Sequence, residues 1–87
     1  MTIELFGMAR HVAGTPAIEV GGERLTPREL VRALAAIPQM AGAVVDAERE
    51  EFVEPNMLLL DGRRVCGADE PFYAADRPCV LFLASGG

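Results

Sequence analysis

Lysine is absent: all eight cationic residues among the 87 are arginine. That removes a Schiff-base lysine, a phosphate-gripping lysine after a glycine-rich loop, and any side-chain amine of the chain that could accept an isopeptide bond. Cysteine is scarce. Cys66 and Cys79 are too few for a disulfide scaffold or a Cys-rich zinc site. The one histidine, His11, is distant from both in sequence, so metal binding has no support. Aromatic residues make up only 6%, which leaves an aliphatic core. Clustered positive charge is also missing. The net charge is −5 and the largest basic cluster is the pair Arg63-Arg64, too little to neutralise a phosphate backbone. A basic protein partner fits this balance better than a polyanion. No apolar run approaches the roughly 18 residues of a membrane-spanning helix. The opening residues lack both a basic n-region and a long apolar h-region, so a cytoplasmic location is expected.

What remains is a single globular domain with one modest core, 51% apolar and 24% charged. Residues 2 to 8 alternate as a first strand, and Gly7 through Gly14 form a connection with room for a turn of helix. A second strand is expected near 16 to 21, where Ile18 and Val20 alternate with Ala17 and Glu19. Thr26-Pro27-Arg28-Glu29 is the clearest local signal: an N-cap, a proline at N1 and a glutamate at N3 that completes a capping box. Leu30, Val31, Leu34 and Ile37 then follow at helical spacing, and Pro38 closes the helix.

Residues 39 to 55 read as a loop or a short helical turn, with the charge run 46 to 51 as a solvated face. Met57 to Leu60 is a third strand. Asp61-Gly62 is a favoured two-residue hairpin turn that returns through Arg63-Arg64-Val65 as a short fourth strand. Phe72-Tyr73 packs over an edge of the core, and residues 78 to 84 form the last strand. The order is ββαβββ, which allows the first and last strands to pair in parallel at the sheet centre. The fold class is therefore α+β, a β-grasp with a mixed four- to five-stranded sheet covered by one main helix.

A single helix shields one face of a sheet, yet the other face does not read as polar. Leu81 and Leu83 share a parity in the last strand, Phe6 has the outward parity in the first, and residues 57 to 60 are apolar on both. These residues, Phe6, Leu81 and Leu83, mark an interface with a protein partner; the alternative is that segment 39 to 55 folds over them. Beyond the strand come Ala84, Ser85, Gly86 and Gly87, a flexible tail after a domain of residues 1 to 83. At ordinary glycine usage of about 7%, two glycines at a given place arise roughly once in 200 chains.

The ββαβββ order, the hairpin Leu58-Leu59-Leu60-Asp61-Gly62-Arg63 and the ending Phe82-Leu83-Ala84-Ser85-Gly86-Gly87 together resemble the MoaD/ThiS family of sulfur carriers. The opening Ile3-Glu4-Leu5-Phe6-Gly7-Met8-Ala9-Arg10 is similar to that of the molybdopterin-synthase small subunit. The resemblance implies that Gly87 is the group acted upon. Its α-carboxyl, with a pKa of about 3.5, is ionised and inert as an acyl donor. A ThiF/MoeB-like enzyme would adenylate it at the expense of ATP, and a persulfide or other sulfur donor would convert it to a thiocarboxylate. A synthase resembling the large subunit of molybdopterin synthase would then receive the sulfur.

Residues 84 to 87 would reach about 13 Å at about 3.3 Å per residue, and glycine keeps that probe thin near the reacting carbon. The chain has no catalytic base or ATP site of its own and binds no cofactor; it is a carrier or non-catalytic subunit, not an enzyme. The same tail also suits a ubiquitin-like modifier joined through Gly87 to target lysines. Cys66, Cys79, His11, Arg63, Arg64 and Arg77 read as structural or solvated residues.

Overall fold

Two strands from opposite ends of the chain form the middle of the main sheet. In the computed structural model, which describes residues 1–82, strand β1 (Thr2–Leu5) runs parallel to the last strand, Cys79–Phe82, with Glu4 opposite Cys79 and Leu5 opposite Val80. Between them in sequence lie helix α1 (Met8–Ala13), β2 (Ala17–Glu19), β3 (Arg24–Leu25), helix α2 (Pro27–Ala35), β4 (Val45–Asp46), β5 (Glu51–Phe52), β6 (Asn56–Leu59) and β7 (Phe72–Tyr73). A 3₁₀ turn, Ala74–Asp76, leads into that last strand, β8. The sheet order is β2-β1-β8-β6, with β2 and β6 antiparallel to their neighbours. This is the parallel central pair expected from the sequence.

Alternation sets the two faces. Ile3, Leu5, Leu58, Leu60 and Val80 point inward and are buried beneath Leu30, Val31 and Leu34 of α2. α2 forms as its sequence demands. Thr26 Oγ1 accepts from the Glu29 amide at 3.1 Å, and a Glu29 carboxylate oxygen accepts from the Thr26 amide at 2.8 Å. Both otherwise orphaned donors are thereby satisfied.

Four expectations need correction. The first strand stops at Leu5, because Gly7 adopts φ 59°, ψ −129° and starts α1, a longer helix than the single turn allowed for. The hairpin after β6 has three residues between its bridge partners, Leu60 and Arg64, and the return strand shrinks to that one bridge. Asp61 and Gly62 do take the positive φ values that a tight turn requires, 56° and 73°. However, the Asp61 amide donates to Asp76 O at 2.7 Å and Arg64 pairs with Asp76 at 3.1 Å. Those contacts hold the turn against the 3₁₀ segment and draw residues after 64 away from the sheet.

The third correction concerns segment 39 to 55, which forms the β4–β5 hairpin and contributes Met40, Val44 and Val45 to the core beside α2. It does not fold over the outer face. The fourth is the pairing of β3 with β7, which opposes Leu25 to Phe72 and makes Phe72 a fully buried core residue rather than an edge cover. Among the described residues no helix is long and apolar enough to cross a membrane.

An ion cluster ties α2 to two loops. Arg28 binds Asp69 at 2.9 Å and Glu50 at 3.4 Å, while Arg32 also hydrogen-bonds Glu50. Arg28 holds the Asp69 carboxyl below its usual range, and Arg32 does the same to Glu50, chiefly through these hydrogen bonds. Depressed carboxylate pKa values stabilise the fold above the unfolded values of about 4 and lose that contribution as pH falls through the folded ones. The melting temperature should therefore fall below pH ~4 by more in the wild type than in an Asp69→Asn, Glu50→Gln double variant. Parallel melting curves across the titration would remove the cluster as the cause. The effect is small, since exposed pairs are screened by solvent.

Candidate functional site

The candidate site lies where β8 leaves the sheet centre. The Phe6 amide donates to Val80 O at 2.9 Å and the Glu4 amide to Pro78 O at 3.2 Å, so β8 is held tightly along β1. On its other side β8 pairs with β6, Leu81 opposite Met57 and Cys79 opposite Leu59. The outer face of the sheet therefore carries two rows. One contains Glu4, Cys79 and Leu59, and the other contains Phe6, Leu81 and Met57.

The structure brings two of the three expected interface residues together. Phe6 is 44% exposed and Leu81 is half-buried on the same face. Leu83 lies outside the described residues, as do Ala84, Ser85, Gly86 and Gly87. Met57 and Leu59, half-buried, extend the patch toward β6. Their signal in the sequence was the run 57 to 60, which is apolar at both parities. A recess of about 180 Å³ borders Phe6, lined by Glu4, Asp61, Gly62, Arg77 and Cys79. It places one cation and two carboxylates at the rim of the apolar surface.

Phe82 has the inward parity but is still 40% exposed, because its partner there is the short helix α1 and not α2. Gly7, Met8, His11 and Phe82 line a shallow apolar hollow of about 250 Å³. A Cβ on Gly7 would sit 3.0 Å from the Cβ of Phe82. Gly7 is thus a positioning residue for the end of β8. Sequence reasoning missed it, since nothing local says which strand crosses a glycine.

Cys79 and Arg77 border this surface through the recess beside Phe6, and none of the remaining candidates forms a reactive cluster there. Cys79 is buried and Cys66 half-buried, both as free thiols, and burial pushes both thiol pKa values up, away from the reactive thiolate. His11 is exposed on α1, and Arg63, Arg64 and Arg77 are all exposed. Among the described residues no three His, Cys, Asp or Glu side chains gather to hold a metal ion.

Comparison with solved structures returns the crystal structure of SAMP1 from Haloferax volcanii, with a TM-score of 0.69 and 24% identity. The alignment covers 99% of this chain and 97% of that one. The chain has a ubiquitin-like β-grasp fold. No protein-family model matches the chain, and no curated protein matches it either. In this frame β1 and β8 are the two central strands, and β8 ends at Phe82, one residue past the Phe6–Leu81–Met57 row.

Proposed function

We propose that this ubiquitin-like protein is a sulfur carrier of the MoaD/ThiS type and that Gly87 bears the reacting carboxylate. The observation that supports this reading most directly is an apolar row, Phe6, Leu81 and Met57, beside the strand that leads to the diglycine. A partner that grips this row has the tail's origin fixed relative to its own active site, and positioning of this kind is what an inert carboxylate needs.

The chemistry has two steps. The Gly87 carboxylate attacks the α-phosphorus of ATP in the partner, a ThiF/MoeB-like adenylating enzyme, and releases pyrophosphate. Hydrogensulfide then attacks the acyl carbon, forming the C–S bond as the bond to AMP breaks, and leaves a thiocarboxylate, which a synthase of the molybdopterin-synthase large-subunit type consumes. This chain provides the acyl group and the docking surface. The partner provides ATP binding and catalysis, so the chain acts as co-substrate.

The test is intact mass after incubation with a cognate adenylating enzyme, ATP and sulfide. Conversion raises the mass by about 16 Da, one oxygen replaced by sulfur. Phe6→Glu and Leu81→Glu should slow that conversion at least about tenfold, since a charge within an apolar contact is left without a partner. Each variant should still fold, because neither side chain belongs to the buried core. An unchanged wild-type mass refutes the carrier reading. Stable adducts on lysines of other proteins, formed without any mass gain, would favour a modifier.

A further inference from the structure

The edge of β6 carries an unfilled main-chain position. Pro78 O and Val80 O face β1, so alternation turns Cys79 and Leu81 toward β6, where their partners are Leu59 and Met57. The N–H and C=O of Leu58 consequently point the other way, out of the sheet. On either side of Leu58 that outward edge is occupied. The Asn56 amide donates to Val53 O at 2.9 Å, and Leu60 exchanges hydrogen bonds with Arg64 at 2.7 and 2.9 Å. A regular hairpin would next pair Leu58 with Cys66. The chain diverges instead, and among the described residues neither the N–H nor the C=O of Leu58 has a main-chain partner.

The divergence opens a groove of about 430 Å³ with Leu58 at its floor. Its walls are apolar: Phe52, Pro55, Met57, Val65 and Cys66. Val65 is 63% exposed, the most exposed of the large apolar side chains among the described residues. The side-chain oxygen of Asn56, a residue only 5% exposed that also lines the groove, has no hydrogen-bond partner either. The one charged residue of the lining is Glu54.

We propose that this groove binds an extended segment of a partner protein, which adds to β6 as a strand. An extended residue offers an N–H and a C=O on one edge, the complement of Leu58, and strand addition of this kind supplies affinity through main-chain bonds. Its alternate side chains would be apolar, against Phe52 and Val65, and a cationic residue would sit near Glu54. A second copy is the wrong occupant. Edge-to-edge pairing of two copies would bring together two bodies of charge −5 and offer no cation to either Glu54. The groove shares only Met57 with the outer-face row, and its open main-chain position at Leu58 does not depend on whether Gly87 carries sulfur.

The experiment uses the full chain, isotopically labelled, with synthetic peptides of about eight residues that alternate valine and serine and end in arginine. The alternating peptide should shift the amide resonances of Leu58 and Cys66 and slow exchange of the Leu58 amide about tenfold. Replacing the terminal arginine by glutamate should weaken binding about fivefold, and Glu54→Arg should reverse that preference. A peptide with proline opposite Leu58 should not bind, since it lacks the donor. Equal binding of the proline peptide would overturn strand addition. So would unperturbed Leu58 and Cys66 resonances at millimolar peptide. If those resonances shift with protein concentration alone, the occupant is a second copy and the proposal is wrong.

Discussion

Removal of Gly87 should abolish thiocarboxylate formation while leaving the fold intact. Deletion withdraws the reacting carboxylate by about one residue, ~3.3 Å. A misplacement of even about 1 Å at a reacting centre can reduce a rate 100-fold, so a loss of at least that size is expected in the intact-mass assay. Gly87→Ala tests the same point more gently, by adding one methyl where the tail must be narrow. Stability should scarcely change, since every buried apolar side chain of the described core lies between Ile3 and Val80. A shift within about 0.5 kcal/mol is usual for such peripheral changes and amounts to no more than about 4 °C for a domain of this size. Full conversion of the truncated chain would show that Gly87 is not the reacting group. A large drop in melting temperature would show instead that the tail is packed structure.

Gly7→Ala should have the opposite signature, a large loss of stability. Gly7 sits at φ 59°, ψ −129°, where a side chain is strained, and its new Cβ would meet Phe82 Cβ at 3.0 Å. Backbone strain of this kind amounts to about 1–3 kcal/mol. With the tight contact added, a loss near the upper end is expected, roughly 10–20 °C in melting temperature. The double variant Gly7→Ala, Phe82→Gly separates the two effects. It relieves the contact and keeps the dihedral strain, so it should recover only the contact's share relative to Phe82→Gly alone. If Gly7→Ala melts within about 2 °C of wild type, the loop before α1 is looser than its dihedrals imply.

The two variants together distinguish carrier chemistry from its mount. On the proposed carrier reading, Gly87 acts after the fold is complete. Gly7 acts through the fold, by letting the end of β8 approach α1 closely, and its carbonyl also accepts the His11 amide at 3.0 Å in the first turn of that helix.

Several features were legible in the order of residues because their causes are local. The capping box at Thr26 and Glu29 involves atoms three residues apart, and the apolar face Leu30, Val31 and Leu34 follows from helical spacing. The absence of lysine and the scarcity of cysteine and histidine narrowed the chemistry with no structural knowledge at all. Alternation likewise announced that the outer face of the sheet would keep apolar surface, and Phe6 and Leu81 do share it. The sheet order could be reasoned out because a helical crossover leaves few ways to place the first and last strands together.

Other features are decided only by contacts distant in sequence. Leu25 and Phe72 are 47 residues apart, and the two-residue strands they belong to carry no periodic signal. Met40, Val44 and Val45 look like an apolar loop until α2 is present to bury them. The turn at Asp61-Gly62 was readable, but its return strand was not: Arg64 still pairs with Leu60 while its side chain binds Asp76 from elsewhere in the chain, and the residues after it leave the sheet. The ending Gly86-Gly87 is likewise a property of the sequence alone. That β8 runs along the sheet centre beside Phe6, with Gly7 making room for Phe82, is a property of the fold. Local chemistry names the group proposed to react; long-range packing decides which residues surround the strand that precedes it.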